Sequence, residues 1–252
     1  MKPNWNTPRT KEGLQIPESY LKKDAATQNR RELTFLLQEA AFAEHIPIYC
    51  VIDMEQLSDG EQKLFHCDNF SCRAAILLGF PVKEIHLFME QQIPDIDGSR
   101  TETMAELKVK NYLLNYSDKL QLQGYQVKML LPPIIPDFDY ARMLAASKKG
   151  FVGKGGRFIT KGYGCQMLIG ILLTDAPLMG GDYRYPDYSG NGCGNCNMCQ
   201  LVCPVNALSF TGFDRERCLA YRDDPNNQLR IAEHTVRKCM RCMECCIFGS
   251  GR

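Results

Sequence analysis

Long hydrophobic runs, an excess of charge of either sign and a leader-like start are all missing from this sequence. Lysine and arginine number 30 against 29 acidic residues, a formal net charge of +1. That balance gives no electrostatic case for nucleic acid or an anionic membrane surface. No apolar stretch approaches the roughly 18–20 residues that a membrane span needs. The opening MKPNWNTPRTKEGLQIPESYLKKD lacks an apolar segment, so no secretory signal is expected. Tryptophan occurs once and histidine four times, and His45, His66, His86 and His234 show no ligand spacing. There is no C-x-x-C-H for haem attachment, no long-period repeat and no low-complexity tract. Solenoids, disordered tails and c-type cytochromes are thereby set aside.

What is abundant is cysteine. The chain holds 13, and Cys193, Cys196, Cys199, Cys203, Cys218, Cys239, Cys242, Cys245 and Cys246 all fall near its end. With no signal sequence, a cytoplasmic setting is expected, where thiols stay reduced. Metal ligation then explains the cluster better than disulfides do.

The 252-residue chain reads as α+β. Residues 1–30 are polar and carry three prolines, which suggests an arm over the surface. Leu33, Leu36, Leu37, Ala40 and Ala41 recur at helical spacing, predicting an amphipathic helix over 31–44. Residues 48–52, 74–80, 84–89, 127–131, 157–160 and 166–173 read as strands, and 95–99 as a turn. Val109, Tyr112, Leu113, Tyr116 and Leu120 form one face of a second helix, with Gly124 as its stop. The prolines of 132–136 predict a loop. A short helix over 139–148 should end near Gly150, before a glycine-rich turn at 150–156. The expected organisation is an arm (1–30), an αβ core (31–182) and a cysteine module (183–252), joined by a Tyr/Pro/Gly-rich stretch.

Within the module, Cys193-Gly-Asn-Cys196-Asn-Met-Cys199-Gln-Leu-Val-Cys203-Pro204 is C-x2-C-x2-C-x3-C-P. This is the bacterial ferredoxin run, in which three close thiolates wrap one iron–sulfur cube and the fourth serves another. A zinc ribbon spaces its ligands as two pairs with a longer gap. The second half is irregular, with Cys218 alone and then Cys239-Met-Arg-Cys242-Met-Glu-Cys245-Cys246. One scheme gives cluster one Cys193, Cys196, Cys199 and Cys246, and cluster two Cys203, Cys218, Cys239 and Cys242. The other exchanges Cys245 for Cys246. Cys50, Cys67, Cys72 and Cys165 read as small core hydrophobes, with a Cys67–Cys72 pairing as the minor alternative. Lys154 is not a Walker lysine, because Gly155 stands where Ser or Thr belongs.

Three stretches carry a resemblance. Residues 203–221 (CPVNALSFTGFDRERCLAY), followed by C-x2-C-x3-C, resemble the iron–sulfur part of epoxyqueuosine reductase and the related reductive dehalogenases. Residues 141–178 and 73–79 are similar to further segments of that family, so the likeness spans roughly 31–246. It implies a nitroreductase-like αβ core holding cobalamin, capped by a ferredoxin-like module with two [4Fe-4S] clusters. It implies electrons passing through both clusters to the corrinoid, for reductive removal of a substituent from a small-molecule substrate. Reduced ferredoxin or flavodoxin would be the donor. Arg142, Gly153, Lys154, Gly155, Thr160 and Gly164 would contact the corrinoid. Ile135 stands where the family carries an Asp, which leaves Asp137 and Tyr140 as candidate proton donors. The competing expectation is a two-cluster electron-transfer protein, or a corrinoid-reducing partner, with no substrate of its own.

Overall fold

The computed structural model describes residues 18–81, 93–94, 101–102, 104–132, 137–160, 163–181, 192–209, 212–232 and 235–248. The expected strand at 84–89, the turn at 95–99, Gly162, and most of the arm, the proline loop and the joint lie outside those residues. A helix α1 (Glu18–Ala43) opens the described chain. It is followed by β1 (Ile48–Asp53), β2 (Ala74–Pro81), α2 (Met104–Gln121), β3 (Val127–Leu130) and α3 (Phe138–Ala145). Then come β4 (Gly150–Val152), β5 (Phe158–Thr160) and β6 (Met167–Thr174). The architecture is mixed α+β. Among the described residues no helix is long and apolar enough to cross a membrane.

Four strands pair in the order β1-β2-β6-β3, every neighbour antiparallel. β2 is buried along its whole length, and β6 at all but its first residue. Both strands are near-continuous apolar runs because the sheet is covered on both faces. Side chains alternate across a strand, so Ile76 and Leu78 enter one layer while Leu77 enters the other. The first layer packs Leu33, Leu37 and Ala41 of α1 with Val109, Leu113, Tyr116 and Leu120 of α2. Gly170 lets α2 close on the sheet, since a Cβ there would lie 2.5 Å from Leu113 Cδ1. The Tyr116 hydroxyl donates to the Leu37 carbonyl at 3.0 Å, tying the two helices. The second layer packs Ile169, Ile171 and Leu173 against Phe65, Ala141, Leu144 and Phe158.

Two expectations need correction. The arm is helical from Glu18 onward, so α1 begins well before residue 31. Its Arg30 then bonds Asp53 at 2.9 Å and the Leu178 carbonyl at 3.2 Å, which fastens α1 to the end of β1. Gly150 does not end α3 but starts β4, where a Cβ would clash with the Ile159 carbonyl. The left-handed residue after α3 is Lys148, at φ +60°. Gly124 does follow α2 with φ +86°, as its position suggests.

Candidate metal centre

Beyond residue 192 the elements are very short: α4 (Met198–Leu201), β7 (Leu208–Ser209), β8 (Gly212–Phe213), α5 (Arg215–Asp223), β9 (Leu229–Ala232), β10 (Thr235–Arg237) and α6 (Arg241–Glu244). Gly192 and Gly194, both at positive φ, turn the chain through Cys193. Asp214 caps α5 by accepting from the Arg217 amide at 2.9 Å, and α5 carries Cys218.

The two remaining cysteine segments are conformational copies of one another. Asn197 precedes α4 at φ −132°, ψ 17°, and Met240 precedes α6 at φ −133°, ψ 18°. Val202 and Cys245 close the two turns in nearly equal conformations, bonding back to Met198 and Arg241. Cys203 and Cys246 then each donate at 3.3 Å to the carbonyls of Gln200 and Met243. Cys196, Cys199 and Cys203 therefore match Cys239, Cys242 and Cys246. Cys245 matches Val202, a position with no thiol. The C-x2-C-x3-C repeat at 196–203 and 239–246 is present in the sequence and is the signal for this pairing.

The thiols surround two small, apolar cavities. One, of about 30 Å³, is lined by Cys193, Cys196, Cys199 and Cys246, together with Ile159, Cys165, Ile247 and Phe248. The other, of about 40 Å³, is lined by Cys203, Cys218, Cys239 and Cys242, with Val205, Ala207, Leu208, Phe213 and Tyr221. Cys242 and Arg157 line both, and Cys245 lines neither. Each copied turn thus sends its last cysteine across to the cavity of the other. Among the described residues no three His, Cys, Asp or Glu side chains converge tightly enough for a single metal ion. The donor set, at least four thiols around an apolar void on each side, fits a multinuclear iron–sulfur group.

At Cys199 and Cys218 the surroundings disfavour the thiolate, which a bound metal would restore. Burial pushes Cys199 up, and the Cys193, Cys242 and Cys246 thiols add to it. Cys218 is pushed up to about 11 by burial and then by Cys242, Cys203 and Cys239. Backbone amides are already aimed at sulfur: Lys154 N lies 3.4 Å from Cys193 Sγ, and Ala207 N 3.2 Å from Cys203 Sγ.

The β4–β5 hairpin joins the sheet region to these cavities. Lys154 Nζ donates to the carbonyls of Gly194 at 2.7 Å and Cys196 at 3.0 Å. A Cβ on Gly153 would lie 3.3 Å from Cys193 Sγ, and one on Gly155 3.7 Å from Cys199 Sγ. Gly153, Lys154 and Gly155 therefore face the cysteine loop. Thr160 is buried, its hydroxyl 3.2 Å from Met167 Sδ, and its backbone pairs with Gly164. Arg142 is exposed, 3.6 Å from the Asp139 carboxylate.

The candidate proton donors are also committed to structure. Asp137 caps α3 by accepting from the Tyr140 amide at 3.1 Å, and it lies 3.7 Å from Arg215. The Tyr140 hydroxyl donates to the Ile169 carbonyl, and burial holds it well above the ordinary phenol range. Cys50 and Cys67 are buried in the sheet's second layer, as expected, and Cys72 packs against it. All three are free thiols, so Cys67 and Cys72 are not paired. Cys165 is likewise buried, in a small core cluster with Ile159 and Met243. It lines the first cavity, and its hydrogen bond to Cys246, followed by burial, raises its pKa far above the thiol range.

No family model matches the chain. Its fold class is that of reductases with solved structures. An epoxyqueuosine reductase from Streptococcus thermophilus superposes with a TM-score of 0.53 at 16% identity, covering 86% of this chain and 66% of that one. A reductive dehalogenase, described as suggesting a mechanism for B12-dependent dehalogenation, gives 0.50 at 18% identity, covering 70% of this chain and 26% of that one. In sequence the chain is similar to the epoxyqueuosine reductase of Lactococcus garvieae, 30% identical over 135 residues, 47% of this chain and 37% of the relative. The chain thus spans about a third of the length of that curated relative.

Proposed function

We propose that the protein is an iron–sulfur oxidoreductase that holds two [4Fe-4S] clusters. Cys193, Cys196, Cys199 and Cys246 would ligate one, and Cys203, Cys218, Cys239 and Cys242 the other. The carrying observation is the pair of apolar cavities, one lined by Cys193, Cys196, Cys199 and Cys246, the other by Cys203, Cys218 and Cys239, with Cys242 lining both and Cys246 at the position equivalent to Cys203. Bound clusters would supply one-electron transfer. The chain's own residues would hold and shield them. Lys154 fastens the Cys193 loop through two carbonyls. Ile159 and Phe248 wall one cavity, and Leu208 and Phe213 the other. Low local polarity and amide donors toward sulfur both tune cluster potential.

In this reading, residues up to about 182 form the acceptor-binding unit, nitroreductase-like in fold, and the cysteine region is a ferredoxin-like module. The αβ unit would bind cobalamin and a small-molecule substrate, with reduced ferredoxin or flavodoxin as donor and reductive removal of a substituent as the reaction. Cobalamin rests on the likeness to the B12-dependent dehalogenase and on the resemblance of residues 141–178. Because Gly153, Lys154 and Gly155 face the cysteine loop, no step through the corrinoid is derived from them. That same engagement favours a second reading, a two-cluster electron-transfer protein without a corrinoid.

Anaerobic purification with iron, sulfide and cobalt analysis separates these readings. About eight iron and eight sulfide per chain are expected. Retention of added cobalamin on equilibrium dialysis supports the reductase. Eight iron with no cobalamin retained leaves the electron-transfer protein. Zinc in place of iron overturns both.

A further inference from the structure

We infer that Arg157 is a positioning residue shared by the two cluster sites, and that its charge sets the reduction potential of both. This inference rests on the two-cluster reading. Arg157 comes from the sheet region, at the foot of β5, yet its side chain lines both thiol cavities. Apart from it, among the described residues, the candidate ligand Cys242 alone lines both.

Its surroundings make the charge consequential. The Arg157 Nε is buried and has no hydrogen-bond partner among the described residues. A buried donor without an acceptor is costly, and a guanidinium cannot escape the cost by losing its proton. It shares the walls of both cavities with the candidate ligand thiols. Its field already reaches thiols on both sides, opposing the upward shift of Cys165 at one cavity and of Cys218 at the other. Other cations nearby are placed differently. Lys154 is spent on backbone carbonyls, and the buried Arg222 and the exposed Arg241 each line the second cavity only.

Reduction takes each cluster from [4Fe-4S]2+ to [4Fe-4S]1+ by one electron, with no proton or bond change required. Ligation by four thiolates makes each site anionic, so the added electron deepens the negative charge. A fixed cation in a low-polarity site stabilises the more negative state and raises the potential. Because Arg157 lies against both cavities, its removal should lower both potentials together. An apolar residue that only filled space would not have this effect.

The test is an anaerobic potentiometric titration with dithionite, followed by EPR, on the wild type, Arg157→Lys, Arg157→Gln and Arg157→Leu. Iron per chain is counted first. With about eight iron throughout, both midpoints should move to more negative values in the Gln and Leu variants. The Lys variant, which keeps the charge and loses the planar fork, should fall between them and the wild type. Unmoved potentials, a shift of one cluster alone, or a Gln variant identical to the wild type would overturn the assignment. If Arg157→Leu fails to hold iron, the Lys and Gln pair decides. A wild type with fewer than two clusters fails the underlying reading, and this inference falls with it.

Discussion

The sheet region and the cysteine region solve the problem of staying folded in opposite ways. In the sheet, Ile76, Leu77, Leu78, Leu113, Tyr116, Ile171 and Leu172 are essentially inaccessible to solvent. Each such side chain contributes on the order of 1.5–3 kcal/mol by burial. Beyond residue 192 the buried described residues are Ala207, Leu208, Arg222 and Met243. Two-residue strands and four-residue helices cannot hold themselves in water. The lesson is that the second region borrows its stability, from whatever its thiols bind and from the β4–β5 hairpin.

Removing the metal should break this comparison most visibly. Chelating iron under argon should abolish amide-exchange protection across 193–248 while β1, β2 and β6 keep theirs. Undiminished protection of the cysteine region would show a core that carries itself. A narrower perturbation comes next. Cys246→Ser should lower iron by about four per chain or more, because an alkoxide is a hard, poorly ionised substitute for thiolate. Cys245→Ser should retain all of it. The reverse outcome in iron analysis would make Cys245 the ligand. On the other side of the comparison, Leu172→Ala should cost the sheet about 2–5 kcal/mol in denaturant unfolding. Iron per folded chain should not change. The smallest effect is expected at the joint. Lys154→Met removes two exposed charge-assisted bonds worth about 1 kcal/mol together. It should hasten cluster loss to a chelator without altering unfolding of the sheet.

The same contrast decides what was legible in the sequence. β1, β2 and β6 could be read directly, because strands covered on both faces are continuous apolar runs. The apolar face of α2 and its stop at Gly124 were equally clear. The first turns of α1 were not, since residues 18–30 lack an apolar stripe and helix formers alone gave a weaker signal. Antiparallel pairing that sets β6 between β2 and β3 depends on contacts far apart in the chain, which local pattern cannot carry. In the cysteine region the motif announced its chemistry. Choosing between Cys245 and Cys246 needed the equal backbone angles at Asn197 and Met240. The approach of Arg157 and of the buried Cys165 to the thiol cavities was hidden for a different reason. Nothing in their neighbourhood marks them, and only the folding of the hairpin and the turn at Gly164 carries them to the thiols.

The crossing of the two copied turns works as a ruler. Cys199 and Cys203 stand four residues apart and line different cavities, while Cys242 and Cys246, equally spaced, share the first cavity and only Cys242 also lines the second. Four residues of helical backbone advance about 6 Å. The short main-chain step between the two cysteines of each pair therefore limits how far apart the groups they hold can lie. Apolar replacements in the cavity walls can retune each site while leaving the step between them unchanged. A single residue inserted between Cys242 and Cys246 would swing the last thiol about 100° around the axis. It would dismantle the spacing and the ligand set in one stroke.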